Sequence, residues 1–549
     1  MEDLPVPTPT APPTSPEPPR PGSPPANLPS SPPVNVPSVP KAPFSPTPPV
    51  GGPVSPPAPS PSPSPLGGSS RPTSPPVPPP APPPLPPASP PAGGLNALER
   101  ARGLVRPLLI LFLVALLGIA ALNFLSLDFS KLPLIGSFFG RSGDVTLTYW
   151  GIWEDPDVIN PLLDSFIDAY EKENPRVNLT INYEKRSFGS LDQYKETLLT
   201  RLQQGTGPDV FRLHNSWVEL FSDELSALPP EVLSEEDYAL RFFPAALSSA
   251  KVGTEIFAIP LEYDGLVLFY NKDLFEGVDV AAKIKTWEDF RREAVRLTTW
   301  RNNDANKGAI LRAGAAFGTA NNVSHSADIF ALLLEQSGID PRTELNTSAA
   351  ADALTFYTNF SKIDRVWDET LPFSINAFAN GQAAMVLAPS WRALEIAALN
   401  PQLKFAAIPV PQLPAAQEKG VHWATFWMEA VNKDSPSSDI AWRLLEFLSR
   451  EDQQRAFYAA ASQNRLFGEP YALRSLKESL AEHEILGPLL SSAPAAVSGP
   501  TTDFSGNTAY VEAFKKAISD VLGGVKAADA LKTAQAVLDQ LEGRASPSP

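Results

Sequence analysis

The chain has 549 residues, contains no cysteine and carries a formal net charge of −16. The absence of cysteine excludes disulfides, thiolate zinc sites, cysteine nucleophiles and a lipidated cysteine anchor. The acidic balance offers no basic surface to a phosphate backbone, so we expect no nucleic-acid partner.

The N-terminal part differs sharply in composition from the rest of the chain. Forty of the 64 prolines precede residue 95, and residues 1–94 hold few large apolar side chains. Such a segment cannot bury enough surface to offset the entropy of folding, so we predict a disordered tail. Its proline runs favour an extended conformation that serves either as an inert spacer or as a docking tract for a partner.

An almost continuous apolar run follows at residues 107–127, within a predicted transmembrane helix at 104–127. Arg100, Arg102 and Arg106 precede this run, which places the N-terminus in the cytoplasm and the large C-terminal part outside. The alternative is a cleaved signal peptide, but no small-x-small cleavage site ends the run. We expect residues 128–143 to form a juxtamembrane linker with an interfacial stretch.

From residue 144 onward, strand and helix patterns alternate, as in a parallel α/β sheet. The chain begins with a predicted strand at 145–150, a helix at 158–173 and a strand at 177–183. Later helices are predicted at 191–204, 287–298, 326–337, 349–363, 437–449, 509–522 and 527–541. Short apolar runs predict buried strands at 208–211, 256–260, 266–270, 383–387 and 405–409.

Several sequence blocks occur in the order typical of one protein family. The block LTYWGIW at 147–153 is followed by a helix ending in Asn174 and Pro175, then by GTGPDV at 205–210 and FAIP at 257–260. LFYNKDLF at 268–275, TWEDF at 286–290, AFANGQAAM at 377–385 and Ser390 with Trp391 come next. IPVP at 408–411 and AWRLLEFL at 441–448 close the series. Together they resemble the family 1 extracellular solute-binding proteins over the whole chain beyond the apolar run.

This resemblance implies an α/β fold of type II, the two-lobed fold of periplasmic binding proteins, with ligand held between lobes that close by hinge bending. Here it would follow a disordered tail and one transmembrane helix. We expect the first lobe to comprise residues 144–263 and 391–450, and the second 264–390 and 451–543. The chain would cross between lobes near 260–265 and 388–391.

The resemblance also suggests ligand-binding residues. Matched to the maltose-binding branch, Trp153 and Glu154 follow the first strand, while Asp264 and Trp391 lie at the two crossings. The remaining candidates occupy loops and the expected cleft floor: Asn215, Trp217, Asn321, His325 and Trp427. Aromatic rings stack on the apolar faces of sugars, and short polar groups bind their hydroxyls.

Each candidate also has a purely structural interpretation. A lone tryptophan is often a core residue, and loop carboxylates or amides are often solvated or capping groups. A weak calcium-loop pattern at Asn302, Asp304 and Asn306 lacks the glutamate that such a loop requires. Phosphate-loop, zinc-protease and nucleophile-elbow motifs are absent from the sequence, so we expect no enzyme, metal or cofactor.

These patterns lead to one preferred function and two alternatives. The preferred interpretation is a membrane-anchored receptor that delivers a small ligand, which we expect to be a carbohydrate, to the permease subunits of an ABC importer. The first alternative is a tethered glycan or peptide sensor, or an adhesion module, that signals through the proline-rich tail. The second is a hydrolase on the same scaffold, which the lack of a nucleophile–base pair disfavours.

Overall fold

The computed structural model describes residues 143–305, 308–416 and 419–544, which all belong to one compact unit of the chain, Leu104–Pro549. The proline-rich tail, the predicted transmembrane helix at 104–127 and most of the predicted linker lie outside the described residues. Within the described ranges, no helix combines the length and the apolar character needed to cross a bilayer.

The strands are β1 Gly143–Gly151, β2 Val177–Lys185, β3 Val210–His214, β4 Lys251–Val252, β5 Glu255–Ile256, β6 Ala258–Ile259, β7 Leu266–Asn271, β8 Thr299–Trp300, β9 Ile310–Arg312, β10 Met385–Pro389, β11 Phe405–Ile408, β12 His422–Trp423, β13 Trp427–Val431 and β14 Ala496–Val497. The predicted strands at 145–150, 177–183 and 266–270 agree with β1, β2 and β7. The sequence interpretation missed β13, although its five residues are all buried.

The α-helices are α1 Pro156–Glu173, α2 Leu191–Gln203, α3 Val218–Phe221, α4 Glu235–Arg241, α5 Pro244–Ala250, α6 Val280–Lys283, α7 Trp287–Leu297, α8 Ser326–Gln336, α9 Ser348–Lys362, α10 Ser374–Ala379, α11 Arg392–Leu399, α12 Ser438–Leu448, α13 Glu451–Ala461, α14 Leu486–Ser492, α15 Thr508–Leu522 and α16 Ala527–Leu541. Helix starts follow capping chemistry: Thr286 and Asp289 form a capping box at α7, and Ser190 caps α2.

Two sheets organise the fold. The first has five strands in the order β2-β1-β3-β13-β6, and the second has three in the order β10-β7-β11. In the first sheet β1 is parallel to β2 and β3, whereas β13 runs antiparallel to β3 and β6. The segment 260–265 connects β6 of the first sheet directly to β7 of the second, where the resemblance placed the first crossing.

The return from the second sheet to the first differs from the expectation. Strand β11 pairs with β7 in the second sheet, and β13 is the strand that rejoins the first. The chain therefore returns to the first sheet between residues 409 and 426, whereas the resemblance placed the second crossing near 388–391. Helix α13, which begins after the predicted boundary at residue 450, packs against α1. The sequence blocks give strands but not their pairing partners, and the pairing determines where the chain returns.

Candidate functional site

One group of aromatic side chains lies at the end of the first sheet. The Trp153 ring is 49% exposed, and its centroid lies 6.0 Å from that of Trp427, which is 9% exposed. Trp427 in turn makes edge contacts with His214 and Trp217, at centroid distances of 5.3 and 5.2 Å. We call these four residues the first aromatic cluster. It presents one free ring, Trp153, on a buried base.

The first cluster lies beside a buried arginine. Arg212 of β3 pairs with Glu154, Glu262 and Glu429, and all four side chains are almost fully buried. Burial alone would lower the pKa of Arg212, but the adjacent Glu262 and Glu429 carboxylates raise that pKa by more. The carboxylate of Glu154, a predicted ligand-binding residue, contacts Arg212 in the structure.

A second aromatic group surrounds Arg392 at the start of α11. The guanidinium carbon lies 4.1 Å from the centroid of the Trp391 ring and 4.2 Å from that of Phe504. Trp391 is 38% exposed and Phe504 52% exposed, while the buried His325 contacts both rings. We call these four residues the second aromatic cluster. Because a cation is attracted to the face of an aromatic ring, Arg392 fixes the orientation of both rings.

The buried His325 anchors Arg392. Its Nε2 accepts a hydrogen bond from Arg392 Nε at 3.1 Å, so its Nδ1 carries the proton and donates to Asp328 Oδ2 at 2.9 Å. Burial, helped by the nearby charges of Arg392 and Lys515, lowers the pKa of His325 well below its usual value. His325 is therefore neutral and supports the cluster from within.

Asp264 holds the turn that carries Trp391. One carboxylate oxygen accepts from the backbone N–H groups of Gly265 and Ser390 at 2.6 and 2.8 Å. The other accepts from the Ser390 hydroxyl and the Trp391 N–H at 3.0 and 3.1 Å. Burial raises the pKa of Asp264 to about 7 despite these donors, which lower it. With four donors bound, Asp264 positions Trp391 in this conformation.

The two clusters are close neighbours in the fold. Thr425 donates its N–H to the Asp264 carbonyl at 3.0 Å, and its hydroxyl lies 3.0 Å from His214 Nε2. Trp217 Nε1 donates to the carbonyl of Ser505, the residue after Phe504, at 2.6 Å. These contacts connect the base of the first cluster to both exposed rings of the second.

Three remaining candidates lie in structural positions. Trp217 is completely buried, so it offers no surface to a ligand in this conformation and supports Trp427 instead. Asn215 donates to Ser249 and Ser498 and accepts from the Phe426 N–H, which uses the whole amide. Asn321 donates to Glu369 at the surface.

Phe504, Arg392 and Arg212 were not among the predicted site residues. Phe504 lies in a loop that the family blocks do not cover, and its φ of 57° is rare for a residue with a side chain. Arg212 lies inside a strand where an apolar residue is normal. The available signal was a charged residue between the apolar residues Phe211 and Leu213.

Two carboxylate groupings have the spacing of metal ligands, namely His325 with Asp328 and Asp503, and Glu154 with Glu262 and Glu469. Lys515 pairs with Asp503, and Arg212 and Arg465 pair with the second grouping. These cations supply the counter-charge that a metal would otherwise provide. In the calcium-loop pattern, Asn306 lies outside the described residues.

Two cavities in the described ranges lie away from the exposed rings. One, of 210 Å³, is lined by Phe166, Ala169, Tyr170, Glu173, Glu231, Val232, Arg443, Glu446, Phe447 and Arg450. The other, of 560 Å³, is lined by Ala239, Phe242, Pro244, Leu247, Ser248, Lys251, Gly253 and Arg474. Neither brings together the exposed aromatic faces and polar groups described above, so we centre the candidate site on the two clusters.

Comparison with known proteins identifies the family of the chain. Residues 156–455 match the family described as bacterial extracellular solute-binding protein. The chain belongs to this family. A binding protein of Brucella abortus is 22% identical over 320 residues, covering 58% of this chain and 74% of the relative. The galactooligosaccharide-binding protein of Bacillus subtilis is 21% identical over 317 residues, covering 56% of this chain and 70% of the relative.

Solved structures show the same fold. A cyclo/maltodextrin-binding protein complexed with maltotetraose superposes with a TM-score of 0.59 at 15% identity, covering 73% of this chain and 98% of that chain. This family member therefore has the mixed α/β fold of type II periplasmic binding proteins. Its family consists of binding proteins, which agrees with the absence of enzyme motifs from the sequence.

Proposed function

We propose that this family member binds a carbohydrate between the two aromatic clusters and releases it unchanged. The observation that carries the proposal is the exposure of three ring faces, Trp153, Trp391 and Phe504, on buried bases that hold them in place. Aromatic rings that the protein holds in one orientation stack well on the apolar faces of sugars.

The charges around the rings favour a neutral ligand. Glu154 is paired with Arg212, Asp264 accepts four hydrogen bonds, and Arg392 is bound by His325 and Glu395. A charged ligand would need an opposite charge that the protein has not already paired. Carbohydrate names among the similar proteins, galactooligosaccharide and maltotetraose, support the same class.

We further propose that ligand binding favours closure of two lobes built around the two sheets. The first crossing at 260–265 and the return at 409–426 would then contain the hinge. A ligand that touches both aromatic clusters favours the closed state through contacts that the open state lacks.

The proposal places the receptor at the outer face of the membrane, anchored by the helix predicted at 104–127 with the proline-rich tail inside. Its partners would be the permease subunits of an ABC importer. The proline-rich tail itself favours the second candidate, a tethered sensor that signals through a cytoplasmic protein. Capture of a cytoplasmic partner by residues 1–94, without a co-purifying permease, would favour the sensor.

A thermal-shift screen of the full-length chain tests the ligand class. We expect neutral oligosaccharides such as maltotetraose to raise the melting temperature through mass action, while spermidine and short peptides leave it unchanged. A rise with spermidine alone would reject the carbohydrate assignment. Turnover of any oligosaccharide during the incubation would show an enzyme and overturn the binding function.

A further inference from the structure

The buried Arg212 guanidinium contacts carboxylates from three separate parts of the chain. Its Nε donates to Glu429 at 2.8 Å, Nη2 lies 3.4 Å from Glu262, and Nη1 contacts Glu154. Arg212 lies on β3, the central strand of the first sheet, and is 1% exposed. We call these four residues the Arg212 cluster.

Each carboxylate belongs to a segment with a place in the proposed site. Glu154 directly follows Trp153, and Glu429 lies on β13 two residues after Trp427, on the same face of the strand. The register confirms that face, because Glu429 pairs with Arg212 and Trp427 pairs with His214. Glu262 lies in the connecting segment 260–265 that leads to the second sheet.

These contacts make the three segments mechanically dependent on one another. A guanidinium is planar and presents its donors in a fixed fork, so each carboxylate has one defined direction of approach. If one segment shifted alone, it would leave a buried charge without its partner, which would strongly destabilise the folded protein. The three segments are therefore held in fixed relative positions. Tyr183 reinforces the first contact, since its hydroxyl donates to the Glu154 carbonyl at 3.1 Å.

We propose that Arg212 is a positioning residue, which rests on the function proposed above: it couples the spacing of Trp153 and Trp427 to the connecting segment 260–265. The arginine touches no ligand. It fixes the first aromatic cluster relative to the chain crossing, so a change at the crossing reaches the exposed Trp153 ring through Glu262, Arg212 and Glu154.

Hydrogen–deuterium exchange of the full-length chain tests the coupling without any ligand. In R212K, whose ammonium cannot reproduce the fork, we expect exchange to rise about tenfold together in residues 152–156, 260–265 and 427–431. Residues 392–399, which include Arg392 of the second aromatic cluster, should change by less than about twofold. The matched control is R241K, because Arg241 also pairs with a carboxylate, that of Glu446, but is itself partly exposed.

A second variant keeps the test decisive if R212K does not fold. E262Q removes one carboxylate at nearly constant volume, and we expect exchange to rise in 152–156 as well as in 260–265. A rise confined to 260–265, or an equal rise in every segment including 392–399, would overturn the coupling. The equal rise would show that the cluster serves only global stability.

Calorimetric titration with maltotetraose separates this inference from the proposed function. We expect R212K to bind about tenfold more weakly than R241K when both variants are titrated at a temperature where each is folded. If the unsubstituted chain binds no maltotetraose, that sugar is rejected as a ligand, while the exchange pattern still decides the role of Arg212. Equal affinity of R212K and R241K for a sugar that binds would contradict the positioning role.

Discussion

The two aromatic clusters rest on different kinds of support. In the first, Trp153 and Trp427 lie beside a buried guanidinium paired with three carboxylates. In the second, Trp391 and Phe504 enclose a guanidinium whose inner partner is the neutral His325. The first therefore depends on fully buried ion pairs. The second depends on cation–ring contacts, one neutral hydrogen bond and an ion pair with the partly exposed Glu395. The comparison teaches that similar exposed rings can be fixed by different chemistry.

Of the substitutions compared in this Discussion, removal of Arg392 should have the largest effect on the free energy of unfolding. R392A leaves His325 Nε2 buried without its donor and removes the cation between two rings, which together cost about 2–4 kcal/mol in the free energy of unfolding. Urea unfolding of the full-length chain measures the loss. The control R455A removes only an exposed pair with Glu451 and should cost less than about 0.5 kcal/mol. Equal losses in both variants would refute the support that we assign to Arg392.

Removal of one exposed ring should weaken ligand binding with little effect on folding. W153A and W391A should each lose about 1–3 kcal/mol of binding free energy for a sugar that stacks on the ring. Isothermal titration measures this loss. The control is L466A, which removes an apolar side chain that is 52% exposed and outside both aromatic clusters. Unchanged affinity in either tryptophan variant would remove that residue from the site.

Backbone strain at Phe504 distinguishes the second cluster from the first. The φ of 57° costs a residue with a Cβ about 1 kcal/mol more than glycine. We therefore expect F504G to be more stable than F504A by about 1 kcal/mol, although both lose the ring. Thermal unfolding of the pair measures the difference. A less stable F504G would show that this conformation carries no strain.

The last comparison concerns pH. Burial, reinforced by Glu469, raises the pKa of Glu262 well above its usual value, while Arg212 opposes this shift. A raised folded pKa means that the stability from Glu262 is present below its unfolded pKa and is lost as the pH rises through the folded pKa. E262Q should therefore lose less stability than the unsubstituted chain as the pH rises from about 4. Melting curves of both proteins at about pH 4 and above measure this difference. Parallel pH profiles of the two melting temperatures would contradict the raised pKa of Glu262.

Much of the fold could be predicted from local patterns. The strand around Leu268 is a short apolar run, and in the strand around Tyr149 threonines alternate with apolar residues. The helix at Trp287 begins with a capping box of Thr286 and Asp289. The return to the first sheet could not be placed, because β11 and β13 are both short buried strands and only their pairing partners differ. The hydrophobic pattern of a segment can predict a strand, but it does not predict which strand lies beside it in the sheet.

The site was predicted less completely than the fold. The resemblance identified Trp153 and Trp391, whose rings are exposed in the structure, yet it also selected Trp217, which is buried. Sequence position cannot distinguish a ring that faces solvent from one that packs under it. Sequence position also cannot show that the carboxylates of Glu154 and Asp264 contact groups of the protein itself. Their partners, Arg212 and Ser390, are distant from them in sequence.

A crystal structure of the full-length chain with an oligosaccharide that raises its melting temperature tests the central claim most directly. The account predicts a sugar ring within about 4 Å of Trp153 and another within the same distance of Trp391 or Phe504. A sugar bound in the cavity lined by Phe166 and Arg450, or touching neither aromatic cluster, would contradict it.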